Sequence, residues 1–234
     1  MGDMLGKENV PPKSTFDAKQ NLGDLVNLVD VEGNVISVAT KLDAHSGEGQ
    51  LHLAFSIFLF TKDSKKILLQ KRASHKYHFP GKWANACCSH PRPGEELIDA
   101  AQRRLSEELG LQVPLQKIGS FIYRARCEQS ALVEYEFDHV FVGIVSENAL
   151  SGLSPDKAEI EDMALVDYGL LSEGNGFSVG KSMLLGKKYL ILHGEMAPWL
   201  LPAFGVCEKN IKDFFGNLKG GIWQLSPAVP LMSQ

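Results

Sequence analysis

With 234 residues, 44% of them hydrophobic and 22% charged, the chain can bury one sizeable core and has the make-up of an ordinary soluble globular protein. A net charge of −4 argues against nonspecific binding to nucleic acid, and the longest apolar run, residues 51–60, is about half of the ~20 residues a membrane helix needs, so neither nucleic acid nor membrane is an expected partner. The four cysteines, at 87, 88, 127 and 207, lack the spacing of a disulfide scaffold and no signal peptide is recognised, which points to a reducing compartment, the cytoplasm.

Residues 1–21 are polar, carry the pair Pro11-Pro12 and show no apolar period, so a flexible tail is expected there. A single domain is expected over 22–218, with a second tail over 219–234. Within it, 25–29 read as a strand, 30–34 as a turn around Gly33, and 35–39 as the hairpin partner, followed by a loop rich in His, Gly and Glu. Residues 51–60 and 67–72, dense in apolar and β-branched side chains on either side of Asp63-Ser64-Lys65, predict two central strands. Between 95 and 109, Leu97, Ala101, Leu105 and Leu109 recur every four residues while Glu95, Asp99, Arg103 and Glu107 follow another line. That pattern predicts an amphipathic helix stopped at Gly110. Further strands are expected over 118–126 and 134–145; past Asp167 the pattern weakens, 172–197 is glycine-rich, and 206–218 predict a last helix. Strands on both sides of a helix, with antiparallel hairpins among them, give the α/β class: a mixed sheet with helices packed on its faces.

The densest chemistry lies in Asn85-Ala86-Cys87-Cys88-Ser89-His90-Pro91 and the helix that follows, where a thiol, an imidazole and the pair Glu107-Glu108 are neighbours in sequence. Cys88 and His90 point the same way if the segment is extended, as do Glu134 and Glu136. His45 and His52 flank a Gly-Glu-Gly-Gln stretch able to fold them toward one point. Three imidazoles, His45, His52 and His90, with the carboxylates of Glu134 and Glu136, make a mixed nitrogen and oxygen set for one divalent ion: Mg, Mn or Zn. A second group, Lys41, Arg72, Lys76 and Arg104, is basic on an acidic chain and suits a diphosphate. Each residue alone has an ordinary structural explanation: a free Cys is often a small buried side chain, and an i, i+2 carboxylate pair is what a half-buried strand shows anyway.

The segment from Ser89 is similar to the Nudix helix signature G-x5-E-x7-R-E-U-x-E-E-x-G-U, where U is a bulky aliphatic. Glu95, Arg103, Leu105, Glu107, Glu108, Gly110 and Leu111 fall on its positions, whereas Ser89 stands for the first glycine and Arg104 for the first glutamate of R-E-U-x-E-E. More closely, the chain resembles type I isopentenyl diphosphate isomerases, a Nudix-like family. The resemblance is carried by Lys41-Leu42-Asp43-Ala44-His45, Leu51-His52-Leu53-Ala54-Phe55-Ser56, Lys71-Arg72-Ala73 with Lys76 and Phe79-Pro80-Gly81, the run 83–91, the helix 101–110, Tyr123-Arg124-Ala125, and Glu134-x-Glu136. It covers about 22–168, and the Cys-x-His run is highly specific.

That resemblance implies a Nudix-like α/β/α sandwich and an isomerase interconverting isopentenyl and dimethylallyl diphosphate in isoprenoid biosynthesis. It implies Cys88 and Glu136 as the catalytic pair with Tyr123 beside them, and metal ligation by His45, His52, His90, Glu134 and Glu136. It also implies a Mg ion bridging Glu108 and the substrate diphosphate, with Lys41, Arg72, Lys76, Arg104 and Ser89 around that diphosphate and Trp199 in the pocket. The chemistry adds a proton to the terminal methylene and removes one from the far side of the double bond, passing through a tertiary carbocation. Glu136 is the expected proton donor and Cys88 the acceptor, with a nearby metal or cationic cluster drawing the thiol below its usual ~8.5. A small-molecule substrate is the expected partner, and the chain is expected to work as a monomer. The rival readings are a Nudix hydrolase of a nucleoside diphosphate derivative, which would use a glutamate where Arg104 stands, and a noncatalytic Nudix-like binding protein, which would have lost part of the acid, base or metal set.

Overall fold

The computed structural model describes residues 24–63, 66–167, 177–182, 188–192 and 195–219. The tails expected at 1–21 and 219–234 lie outside the described residues, except for Lys219. Eleven strands and four helices are present among the described residues. Strands β1 (Leu25–Val29) and β2 (Val35–Thr40) form the expected hairpin. The stretch read as a loop then begins with a short helix, α1 (Lys41–His45), because the Thr40 hydroxyl accepts from the Asp43 N–H at 3.1 Å and caps it.

Strand β3 (His52–Thr61) is the centre of the molecule. It runs parallel to β8 (Val133–Val145) over its whole length, and antiparallel to β4 (Lys66–Arg72), to β6 (Cys87–Ser89), and at one residue to β1. Strand β5 (Trp83–Asn85) pairs with β4, β7 (Leu115–Arg126) pairs with β8, and β4 continues to β9 (Ile160–Asp167). The region of weak sequence pattern supplies β10 (Phe177–Ser182) and β11 (Lys188–Leu192), which extend the sheet beyond β9. The sheet is mixed and eleven-stranded.

Both faces of β3 are covered, so the strand is apolar on both sides and shows no alternation. Phe55, Ile57 and Leu59 pack with Ala100, Ala101, Leu105 and Leu109 of α2 (Leu97–Leu109). Phe58 and Phe60 pack on the opposite face with Leu200, Ala203, Phe204 and Cys207 of α4 (Leu200–Lys219). A short helix, α3 (Glu147–Ser151), follows β8. Helix on sheet on helix is the expected sandwich. The last helix starts six residues earlier than the sequence pattern predicts, since Leu200, Ala203 and Phe204 take part in the core. Helix α2 ends where expected: Gly110 takes a left-handed φ of 67° and donates to Ser106 O at 2.9 Å.

The approach of α4 to the sheet depends on a missing side chain. A methyl group at Gly119 of β7 would lie 2.5 Å from Val206 Cγ1. We expect Gly119→Ala to destabilise the fold by about 1–3 kcal/mol through overpacking, read as a lower denaturation midpoint; an unchanged midpoint would show that the helix yields freely.

Candidate active site

Opposed residues of paired strands share a face, and the register of β3, β7 and β8 uses this to bring three functional side chains together. His52 lies opposite Glu136 in the parallel pair, and Tyr123 lies opposite Glu136 in the antiparallel one. Helix α1 turns His45 inward, and Pro91 and Arg92, held through the Asn27 side chain, follow directly on His90. One ligand atom from each of His45, His52, His90, Glu134 and Glu136 lies within 4.8 Å of all the others.

The hydrogen bonds around this cluster suit metal ligation. His45 Nδ1 is 2.5 Å from Lys41 O and His52 Nδ1 is 2.8 Å from Gln50 O, so the backbone holds the outer nitrogen of each ring and turns Nε2 inward. His52 Nε2 and His90 Nε2 face each other at 3.2 Å, His90 Nε2 is 2.9 Å from Glu136 Oε1, and His45 Nε2 is 3.0 Å from Glu134 Oε2. Burial pushes His90 down to about 3, so its ring is neutral at neutral pH, the state a ligand requires. Burial would raise the two glutamates, but their histidine neighbours outweigh it and hold both below the usual carboxylate range. A donor set of three neutral-capable imidazoles and two carboxylates fits a divalent ion.

A cavity of about 140 Å³ opens beside the cluster. Its lining includes Cys88, His90, Tyr123, Glu134, Glu136 and Trp199, together with Ser89 and the four cations Lys41, Arg72, Lys76 and Arg104. Tyr123 donates to Glu136 Oε2 at 2.6 Å. Trp199 is anchored by its Nε1–H on Asn85 Oδ1 at 3.1 Å, carries the Arg72 guanidinium over its ring at 5.4 Å, and lies 6.1 Å from the Tyr123 ring. The cations converge enough to feel each other: burial first, then Lys76 and Arg104, push the Lys41 ammonium down. Glu159 offsets them, pairing with Lys76 at 2.6 Å and reaching Arg104 at 3.6 Å.

The chain matches the family model described as NUDIX domain over residues 50–182. It is 46% identical over 166 residues to an isopentenyl-diphosphate Delta-isomerase of Streptomyces avermitilis, covering 70% of this chain and 82% of that protein. It is 53% identical over 123 residues to isopentenyl-diphosphate Delta-isomerase 2 of Photorhabdus laumondii, covering 52% and 67%. The chain belongs to the isopentenyl-diphosphate Delta-isomerase family. Among solved structures, DR0079 from Deinococcus radiodurans aligns with a TM-score of 0.50 at 17% identity over 64% of this chain and 88% of that one, a likeness of fold.

Membership of the isopentenyl-diphosphate Delta-isomerase family agrees with the resemblance seen in the sequence. The resemblance keeps Glu108 outside the five-ligand set; two other features of the site were not anticipated. Glu108 stands apart from the five clustered ligands, on α2, with its carboxylate against Arg104 Nη2; burial raises it more than Arg104 lowers it. The thiol of Cys88 is pushed up, not down: burial dominates, Arg72 opposes it, and the carboxylates of Glu108, Glu136 and Asp138 add to it. Burial therefore keeps it a thiol in the protein without a metal, and the cationic cluster alone does not make the expected thiolate. Finally, several residues of the site were missed. Asp138 continues the alternation of Glu134 and Glu136, accepts from Ser56 Oγ at 2.7 Å, and is pushed well up by burial. That alternation was a legible signal; Glu159, Asn85 and His78 had none in the sequence.

Proposed function

We propose that the cavity interconverts isopentenyl and dimethylallyl diphosphate by a proton shift in which Cys88 and Glu136 are the exchanging groups. The observation that carries this reading is that a thiol, a carboxylate and four cations line one small cavity. Lys41, Arg72, Lys76 and Arg104, with Ser89, take the diphosphate, Arg through forked contacts and Lys as a point charge. The hydrocarbon end then lies against Tyr123 and Trp199.

One group gives a proton to the terminal methylene; the π electrons form the new C–H bond and leave a tertiary cation. The other group takes a proton from the carbon nearer the diphosphate, and that C–H pair becomes the new double bond. Each turnover leaves the two groups with exchanged protonation, and by microscopic reversibility the donor in one direction is the acceptor in the other. Tyr123, through its hydrogen bond to Glu136, sets the carboxyl in place for this exchange. The aromatic faces stabilise the cation by about 1–2 kcal/mol each when water is excluded.

His45, His52, His90, Glu134 and Glu136 would hold a divalent ion, Mg, Mn or Zn, and Glu108 would hold a Mg ion with the diphosphate; these ions would supply charge neutralisation and orientation. A monomer is the working unit in this reading. Among the described residues no helix is long and apolar enough to cross a membrane, and a cytoplasmic location goes with this reading.

Turnover in D₂O tests the proton shift and assigns the roles. The product methyl group formed from the terminal methylene should carry deuterium. Cys88→Ala should form no product; if it exchanges the terminal hydrogens of recovered isopentenyl diphosphate, Glu136 is the donor, and if it exchanges none, Cys88 is. Product without solvent deuterium would overturn the mechanism.

A further inference from the structure

Between β4 and β5 the chain forms a connection that is buried where connections are normally exposed: Tyr77, His78 and Phe79 are 6%, 7% and 7% accessible. Its backbone polar groups are satisfied in a directed way. His78 O and Phe79 O both accept from the Arg72 guanidinium at 3.1 Å, and the Phe79 N–H donates to Cys127 Sγ at 3.2 Å. Phe79 adopts a φ of 46°, a left-handed conformation that a side chain of this size rarely takes. The segment is held in an unfavoured shape by its surroundings, the pattern found where a local geometry serves a site.

The consequence of that shape is the direction of the His78 ring. Its Nε2 meets Glu134 Oε1, on the opposite oxygen from the one His45 holds, and the His78 and His45 ring centroids are 5.6 Å apart. No backbone carbonyl holds Nδ1, so in the neutral ring the proton sits on Nε2, where the carboxylate accepts it, and Nδ1 is left as an acceptor, buried without a hydrogen-bond partner. Arg72 Nη2 lies 3.5 Å from the same Nε2, which cannot accept a proton while donating its own, so the guanidinium is fixed by the two carbonyls instead. An orphaned acceptor in a buried loop is uncommon and needs a reason. His78 does not belong to the five converging ligands, and its polar contact with them is made to the Glu134 carboxylate.

We propose that His78 is a positioning residue: its Nε2–H orients the Glu134 carboxylate at the metal cluster while its backbone carbonyl orients Arg72 in the diphosphate part of the cavity. One short segment thereby sets the separation between the metal cluster and the phosphate-binding guanidinium. A ligating carboxylate keeps its orientation through donors on its own oxygens, and loss of such a donor typically costs 10–100-fold in metal affinity. The inference rests on reading the His/Glu cluster as a divalent-metal site.

Two variants test it on the full chain: His78→Phe keeps a ring and removes the donor, and His78→Gln places an amide N–H near the position of Nε2. Affinity for Mn²⁺ and Zn²⁺ is measured by competition with a chromogenic chelator, which needs no turnover, after circular dichroism has confirmed folding. We expect His78→Phe to bind about 10–100-fold more weakly and His78→Gln to stay within about threefold of the wild type. Equal affinity for the Phe variant, or failure of Gln to restore binding when folded, overturns the proposal. If His78→Phe does not fold, His78→Gln decides alone: wild-type affinity supports the donor role and loss of affinity refutes it. Absence of measurable metal binding in the wild type would instead overturn the metal reading beneath it, and isomerase activity measured in parallel separates that from failure of the proposed reaction.

Discussion

Replacing Glu136 by Gln is expected to lower kcat by about 10³-fold or more, in both directions of the reaction, with the fold intact. The amide has the volume of the carboxylic acid, so packing is preserved; what changes is charge and the capacity to exchange a proton. A positioned acid or base contributes about 10²–10⁴-fold, and this residue also accepts from Tyr123 at 2.6 Å and lies 2.9 Å from His90 Nε2. The substitution therefore removes a proton-exchanging group and alters a ligand of the cluster together, which places the expected loss toward the upper part of that range. Because the proposed reading gives the diphosphate to other side chains, Lys41, Arg72, Lys76 and Arg104, KM should change much less than kcat. Steady-state kinetics from both isopentenyl and dimethylallyl diphosphate check this. A loss under tenfold would remove Glu136 from the chemistry.

The second large effect is metal removal. Exhaustive chelation is expected to abolish turnover, and Mg to restore at least the part that depends on diphosphate binding. Two buried carboxylates and three imidazoles within 4.8 Å of one another are costly to assemble without a cation: the carboxylates repel, and His52 Nε2 and His90 Nε2 face each other at 3.2 Å. A divalent ion that binds only the folded state also stabilises it, by about 2.7 kcal/mol at 100 times its Kd. For a chain of this size that is a rise of roughly 5–10 °C in Tm. Metal-depleted and reloaded protein should therefore differ in melting temperature as well as in activity. Full activity after removal, with no change in Tm, would contradict the metal reading.

How much of this was legible in the sequence follows from the physics of each element. Strand β3 announces itself because burial on both faces demands an unbroken apolar run, and α2 because one buried stripe repeats every four residues. The ligands His45, His52, His90, Glu134 and Glu136 stand on four separate segments, and local pattern alone could offer them only as pairs; the likeness to a family joined them, and the register of β3, β7 and β8 supplies the reason they meet. The helix α1 was hidden because five residues are too few for a period, and the start of α4 because its first turn follows a proline-marked break. His78 and Glu159 lie in connections, where no periodicity tells a side chain which way to face. The direction in which Cys88 titrates was also out of reach, since it depends on burial and on carboxylates that come close only in the folded chain.

The central claim is that this site moves a double bond and leaves the diphosphate whole. Incubation of purified, metal-loaded protein with isotopically labelled isopentenyl diphosphate, following acid-labile allylic product and released phosphate together, tests it most directly. The account predicts allylic product with no phosphate above background; phosphate release without allylic product would make the protein a hydrolase and contradict it.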